Sequence, residues 1–275
     1  MRRFVAFALL LIAVADPVRV DAQATDSTRA RRRPPIITWL DAGVLGAGLV
    51  GSIALMGSDE RIAQRLQSDR YQDKDRYHDI ADIAAKVNEK SLFAAGLVTY
   101  GIARLVDAPR TTTDIAWHTT ESIFMASATA TLARGILGRS RPFVTADSNA
   151  YDYIPGKGFA ELRYRAYPSI HAAAAFATAS ALTAETARHS RGWAYIVGPI
   201  TYSLAALPGL ARMYGDKHWA SDILMGSALG AVSGWATVRY HHNRPGNKLD
   251  RIFIGAVPTP VVSEGEVGLL WNVRF

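Results

Sequence analysis

Long runs rich in apolar and small residues alternate with polar connectors along the 275-residue chain. Six runs stand out, roughly 37–56, 92–106, 115–137, 170–187, 193–210 and 219–240. Each is long enough for a helix and apolar on most sides, the pattern of helices buried in a large bundle or in a membrane. The fifth run is interrupted by Pro199 and Pro208. Between the first two lies a polar stretch of helical type, GSDERIAQRLQSDRYQDKDRYHD followed by DIAAKVNEKS. Alanine and glycine recur throughout, and small residues at close spacing allow tight helix contacts in water or lipid.

The period changes at the C-terminus. RIFIGAVPTP and EVGLLWNVRF flank 261–265, and Val267, Leu269, Trp271, Val273 and Phe275 alternate with other residues. Period two predicts a hairpin of two strands, packed on the helical body, because two strands cannot close a barrel. The expected fold class is therefore all-α, a bundle of about six core helices with a short C-terminal β-hairpin.

At the N-terminus Arg2 and Arg3 precede an apolar core, Phe4 to Ala15, and Val20-Asp21-Ala22 offers a cleavage site before Gln23. This is the anatomy of a secretory signal. Removing residues 1–22 takes away Arg2, Arg3 and Arg19 against Asp16 and Asp21, so the formal charge of +7 falls to +6. The basic stretch TDSTRARRRPP then reads as a solvated linker. The expected division is 1–22 signal peptide, 23–35 linker, 36–243 helical domain and 244–275 hairpin extension. The expected address is the cell envelope, periplasmic or membrane-associated. The absence of cysteine excludes disulfides, thiolate metal sites and a cysteine nucleophile. Mean hydropathy is +0.04, low for a polytopic membrane protein, and polar residues inside several runs are costly in lipid. These signals point to a compact helical domain in or against the membrane, and leave its depth open.

Three stretches carry candidate chemistry, each at the end of a long predicted helix. LARGILGRSRPF places Arg134, Arg139 and Arg141 where the third helix ends at Pro142, and cations are favoured at a helix C-terminus. In PSIH, Pro168 and Ser169 open the fourth helix, with Ser169 as N-cap and His171 in the first turn, where amides and the helix dipole favour an anion. In ARMYGDKHWASD, His218 and Asp222 are four apart at the start of the sixth helix and so share a face. A carboxylate on Nδ1 leaves Nε2 unprotonated, as a histidine nucleophile requires. Arg212 precedes them by six residues. Taken singly, each stretch reads as ordinary helix capping.

Together, in this order, they resemble the phosphatidic acid phosphatase type 2 superfamily, which includes bacterial acid phosphatases, lipid phosphatases and vanadium haloperoxidases. The family pattern is K-x6-R-P, P-S-G-H and S-R-x5-H-x3-D. Arg134, Arg141 and Pro142 match the first motif with Arg for Lys. Pro168, Ser169 and His171 match the second with Ile170 for Gly, and Arg212, His218 and Asp222 match the third with Ala211 for Ser. The resemblance implies that His218 attacks phosphorus, Asp222 orients it, and His171 protonates the leaving oxygen and then activates water. Arg134, Arg141, Arg212, Ser169 and the amide of Ile170 would hold phosphate oxygens. No metal and no cofactor are implied. The implied partners are a phosphorylated small molecule or lipid phosphate, with membrane association and no nucleic acid. Ile170 is expected to crowd the pocket where the family has glycine. The alternatives are a vanadate-dependent haloperoxidase, with His218 ligating vanadate, and a non-catalytic envelope protein on the same scaffold. His78, His118, His189, His241 and His242 lack partners at useful spacing and read as surface or core histidines. Glu121 and Asp41 read as helix-packing hydrogen bonds. The tyrosine-containing loop 151–167 is the place where selectivity is expected.

Overall fold

The computed structural model describes residues 34–254, together with the backbone of 256–263 and 266–273. The expected signal peptide and nearly all of the basic linker lie outside the described residues.

Among the described residues nine α-helices follow in order: α1 Trp39–Leu66, α2 Asp69–Gln72, α3 Asp75–Ala85, α4 Glu89–Leu105, α5 Arg110–Leu137, α6 Lys157–Ala160, α7 Ile170–His189, α8 Arg191–Tyr214 and α9 Ala220–Asn243. The six long ones coincide with the six apolar runs. Several ends are set by local chemistry. Thr38 and Asp41 form a reciprocal capping box on α1, and Asn88 and Ser91 do the same on α4. Gly138, at φ 60°, closes α5, and a Cβ there would sit 1.9 Å from the Ile154 carbonyl.

Two boundaries differ from expectation. The first apolar run does not stop near Met56, since α1 continues through the polar sequence to Leu66 and carries Asp59 into the interior. Pro199 and Pro208 do not interrupt α8, which runs unbroken through both. A proline removes one backbone donor and strains one turn, and here the flanking sequence and packing on α7 hold the helix together.

The alanine-rich α7 is the central element, in contact with α4, α5, α8 and α9. Its closest neighbour is α9, through a stripe of Gly226, Gly230 and Gly234. A Cβ on these glycines would lie 2.4 Å from the Ser169 carbonyl, 2.2 Å from that of Ala173 and 2.7 Å from that of Ala177. Only hydrogen fits at this backbone-to-backbone seam, which fixes the first turn of α7 against the start of α9. The outer helices α1 and α8 are both long and apolar enough to cross a membrane by length and composition. They turn large side chains outward, including Trp39, Val50, Ile53, Trp193, Ile196 and Ile200.

After α9 the chain passes a π-turn, Asp250–Ile254. The backbone of β1 Ala256–Ser263 then runs antiparallel to β2 Glu266–Val273, with Ala256 opposite Val273. Its main backbone contacts are between the two strands and with the π-turn.

Candidate active site

The site lies at one end of the bundle, where α5 and α8 finish and α7 and α9 begin. The amide of Ser169 donates to the Asp222 carbonyl at 3.0 Å, tying the last two helix starts together. Ser169 caps α7 by accepting from the Ala172 amide. His171 follows in the first turn, and its ring centroid is 6.2 Å from that of His218, at 62°.

His218 is fully buried, with Nδ1 3.3 Å from Asp222 Oδ2 and no hydrogen-bond partner on Nε2. The same Asp222 oxygen accepts from the Trp219 amide at 2.8 Å. Burial lowers the pKa of His218; the Asp222 carboxylate opposes that, and the charges of Arg141 and Arg212 add to it. The ring is thus held neutral with one nitrogen unengaged.

Arg134 at the end of α5, Arg141 in the following loop and Arg212 near the end of α8 each have a buried Nε without a hydrogen-bond partner. All three lie within electrostatic range of His171, whose Nδ1 is likewise buried and without a partner. Unpaired buried donors are costly, so three guanidinium groups gathered this way form a cradle for an anion. Burial lowers the pKa of Arg141, which raises the benefit of a bound negative charge.

The structure therefore brings Arg134, Arg141, Ser169, His171, Arg212, His218 and Asp222 to one place. Ile170 is the exception. Its side chain is 4% exposed and packs among Ala126, Ala130, Ala173 and Ala177 in the α5–α7 core. The expected crowding is corrected: small residues on α5 leave room for the branched chain, which does not occupy the pocket.

Two contributors, Asp59 and Glu89, escaped the sequence reading, and a third, Arg139, was read only as a cation at a helix end. Arg139 is fully buried and saturated by the protein. Nη1 donates to Asp222 Oδ1 at 2.6 Å and to Ser221 Oγ at 2.7 Å, while Nη2 donates to Asp59 Oδ2 at 2.8 Å and to the Ala150 carbonyl at 2.7 Å. Burial opposes its charge, yet Asp222, Tyr153 and Asp59 hold its pKa above the ordinary arginine value. Asp59, from the polar end of α1, also accepts from the Ser221 amide at 3.0 Å. Glu89, at the start of α4, has Oε2 3.9 Å from His171 Nε2. Sequence distance hid Asp59 and Glu89. For Arg139, only its position between two motif arginines was a signal.

His78 and His189 are exposed and His118 and His241 lie in the core, as read, but three of the histidines said to lack partners have them. His118 bonds Glu185, His241 bonds Glu121 and Asp250, and His242 bonds Glu185. These partners come from other helices or from the π-turn, so helical spacing within one run could not reveal them.

A family model described as the PAP2 superfamily matches residues 115–245. Over 68 residues the chain is 40% identical to the lipid A 1-phosphatase of Porphyromonas gingivalis, a stretch covering 25% of this chain and 14% of that protein. The chain therefore spans about one-seventh of the length of this curated relative. The fold matches the crystal structure of a transmembrane PAP2 type phosphatidylglycerolphosphate phosphatase from Bacillus subtilis, with a TM-score of 0.54 and 16% identity, covering 77% of this chain and 100% of that one. At that identity the match shows the shared fold.

Proposed function

We propose that this chain, a member of the PAP2 superfamily, is a membrane-embedded phosphatase that removes a phosphate from a lipid phosphate or diphosphate through a phosphohistidine. The observation that carries the reading is the convergence of three half-buried arginines, each with a buried and unpartnered Nε, on two imidazoles that each have an unengaged nitrogen.

In the first step His218 Nε2 forms a bond to phosphorus as the bond to the leaving oxygen breaks, and His171, protonated once the bound phosphate dianion offsets the three arginine charges, supplies the proton that oxygen needs. In the second step water gives a proton back to His171 and attacks phosphorus. The P–N bond breaks, inorganic phosphate departs, and His218 regains its lone pair. Arg134, Arg141 and Arg212 stabilise the equatorial oxygens as charge spreads over them. Asp222 holds the His218 tautomer, and Arg139 holds Asp222.

A lipid substrate is favoured by the apolar outer surfaces of α1 and α8, which suit acyl chains better than water. The name of the curated relative points the same way. The C-terminal strand pair is assigned as an extension outside this helical domain.

The test is phosphate release from a short-chain phosphatidate by detergent-purified protein, comparing wild type with His218→Ala and His171→Ala. Release by wild type, with an acid-labile phosphoryl label that is absent from His218→Ala, supports the reading. A wild-type protein that is folded and silent toward both lipid and soluble phosphoesters overturns it.

A further inference from the structure

At the other end of the bundle three imidazoles and three carboxylates are packed together. His118 belongs to α5, Glu121 to the next turn of α5, Glu185 to α7, His241 and His242 to the end of α9, and Asp250 to the π-turn. Sixteen residues separate His118 from Arg134, about 24 Å along the helix axis, and fourteen separate His171 from Glu185, about 21 Å. The cluster is therefore remote from the phosphate cradle and takes no part in the chemistry proposed there.

We propose that this cluster holds one divalent transition-metal ion of the zinc class, ligated by His118, Glu185 and His242. The ligand atoms of these three residues lie within 4.8 Å of one another. His118 Nδ1 is 2.6 Å from Glu185 Oε1, and His242 Nε2 is 3.0 Å from both oxygens of the same carboxylate. The His118 and His242 rings are nearly perpendicular, at 84°, with centroids 5.6 Å apart. Two imidazoles so arranged can aim their in-plane lone pairs at one point beside a shared carboxylate.

A second triad, His118 with His241 and Asp250, is equally close, but its geometry suits support better than ligation. The rings of His118 and His241 are stacked, with centroids 4.0 Å apart and planes 19° apart, so their in-plane lone pairs run side by side. His241 is also engaged at both nitrogens, Nε2 with Glu121 at 2.7 Å and Nδ1 with Asp250.

The remaining polar atom supports the assignment. His118 is 2% exposed, and its Nε2 has no hydrogen-bond partner, although Asp250 Oδ1 lies 3.8 Å away. If Nδ1 merely donates its proton to Glu185, a neutral His118 turns a bare lone pair toward a carboxylate. If Nδ1 ligates a metal instead, Nε2 carries the proton and faces Asp250, the carboxylate–histidine–metal arrangement that orients ligating histidines. Asp114, four residues before His118 on the same helix face, has an Oδ1 without a hydrogen-bond partner and interacts electrostatically with His118, Glu185 and His242. Its Oδ1 faces Arg110 at 3.9 Å, and its carboxylate adds negative charge beside the site. Two imidazoles exclude calcium and magnesium as preferred occupants, and the chain has no thiolate to favour softer ions. The ion would clasp α5, α7 and α9 at the end opposite the candidate active site.

The test uses the full chain in detergent, stripped with chelator and titrated with Zn2+, with Co2+ as the spectroscopic probe. One ion per chain, visible Co2+ d–d bands of a low-symmetry site and a rise in Tm on adding Zn2+ are expected. His242→Gln, at a partly exposed position that the fold tolerates, should weaken binding by at least about tenfold and abolish the Tm rise. Asp250→Asn, which removes no ligand but alters the support of His118 and the contact with His241, should weaken it by about 10- to 100-fold. Substoichiometric uptake by folded wild type, or uptake unchanged in His242→Gln, would overturn the proposal. Metal content is read independently of phosphatase activity.

Discussion

Arg139 and Asp222 form an ion pair with both side chains fully buried, Nη1 2.6 Å from Oδ1, and the other Asp222 oxygen faces the Nδ1 of His218. The arginine that touches no substrate thus sets the orientation of the residue proposed to attack it. Its remaining donors reach Asp59, Ser221 and the Ala150 carbonyl, so one guanidinium joins α1, the loop after α5 and the start of α9. Removing one partner of a buried pair leaves the other charged and unsatisfied. Arg139→Ala should cost about 3–5 kcal/mol of stability, measured by denaturation in detergent. Arg139→Lys should recover only part of that, because a single ammonium cannot reproduce the five-donor fork.

The pH profile follows from His218. Burial lowers its pKa below the ordinary 6.5, and the nearby Arg141 charge is one of the added causes. The attacking form is the neutral ring, so its population falls only as the pH drops through the depressed value. The acid limb of kcat/KM should therefore lie below pH 6.5. Arg141→Gln removes a cation and should shift that limb toward higher pH while lowering kcat/KM by about 10²–10³. An unmoved limb in a folded variant would detach Arg141 from His218.

Ile170 gives a prediction opposite to its reading in the sequence. Its side chain fills the space left by Ala126 and Ala130 instead of entering the pocket. Ile170→Gly should therefore bring no gain in turnover and should lower stability by at least the ~2–5 kcal/mol of an isoleucine truncation. A faster and equally stable variant would show that the side chain does obstruct substrate.

The seam of α7 and α9 is the device that holds His171 near His218. A methyl group at Gly230 would meet the Ala173 carbonyl at 2.2 Å, and a backbone oxygen cannot swing aside. Gly230→Ala should cost about 1–3 kcal/mol. By moving one helix start against the other, it should lower kcat by about 10² for a displacement near 1 Å, with a smaller change in KM. Thermal denaturation and steady-state kinetics on the same sample separate the two effects.

The helices were legible because apolar runs of helical length leave few other solutions, and six of them recur in the structure. The limits of α1 and α8 were not. Polar residues after Met56 suggested an end where Asp59 is drawn inward by Arg139, and two prolines suggested breaks that tertiary packing overrides. That the residues of the proposed phosphate cradle would come together was legible because each closes or opens a long helix and three such ends meet. Glu89, Asp59 and the His118–Glu185–His242 cluster were not, because their partners lie on different helices and no spacing within one helix encodes them.

A last prediction concerns the two loops that carry Arg141 and His218. The carboxyl groups of Asp147, in the first loop, and Asp216, in the second, interact electrostatically, each has a buried Oδ1 without a hydrogen-bond partner, and both residues adopt a left-handed backbone at φ 58°. Lys217 lies over the Phe143 ring at 4.5 Å, so the loops meet there as well. Burial and the neighbouring Asp147 carboxyl push the pKa of Asp216 up to about 7, from an ordinary 3.8. The folded protein thus keeps a proton that the unfolded chain has already lost between those values. Stability from this group is full below pH 3.8 and is lost as the pH rises through about 7, where the two carboxylates begin to repel. Asp216→Asn keeps the shape of the side chain and removes its charge. The variant should gain Tm over wild type at pH 8, by about 2 °C or more, a smaller amount at pH 5, and nothing below pH 3.8. Because the pair joins the loop of Arg141 to the loop of His218, its ionisation should also contribute to the basic limb of activity, and Asp216→Asn should move that limb to higher pH. An equal Tm difference at pH 5 and pH 8 would mean that the two carboxyl groups do not share a proton.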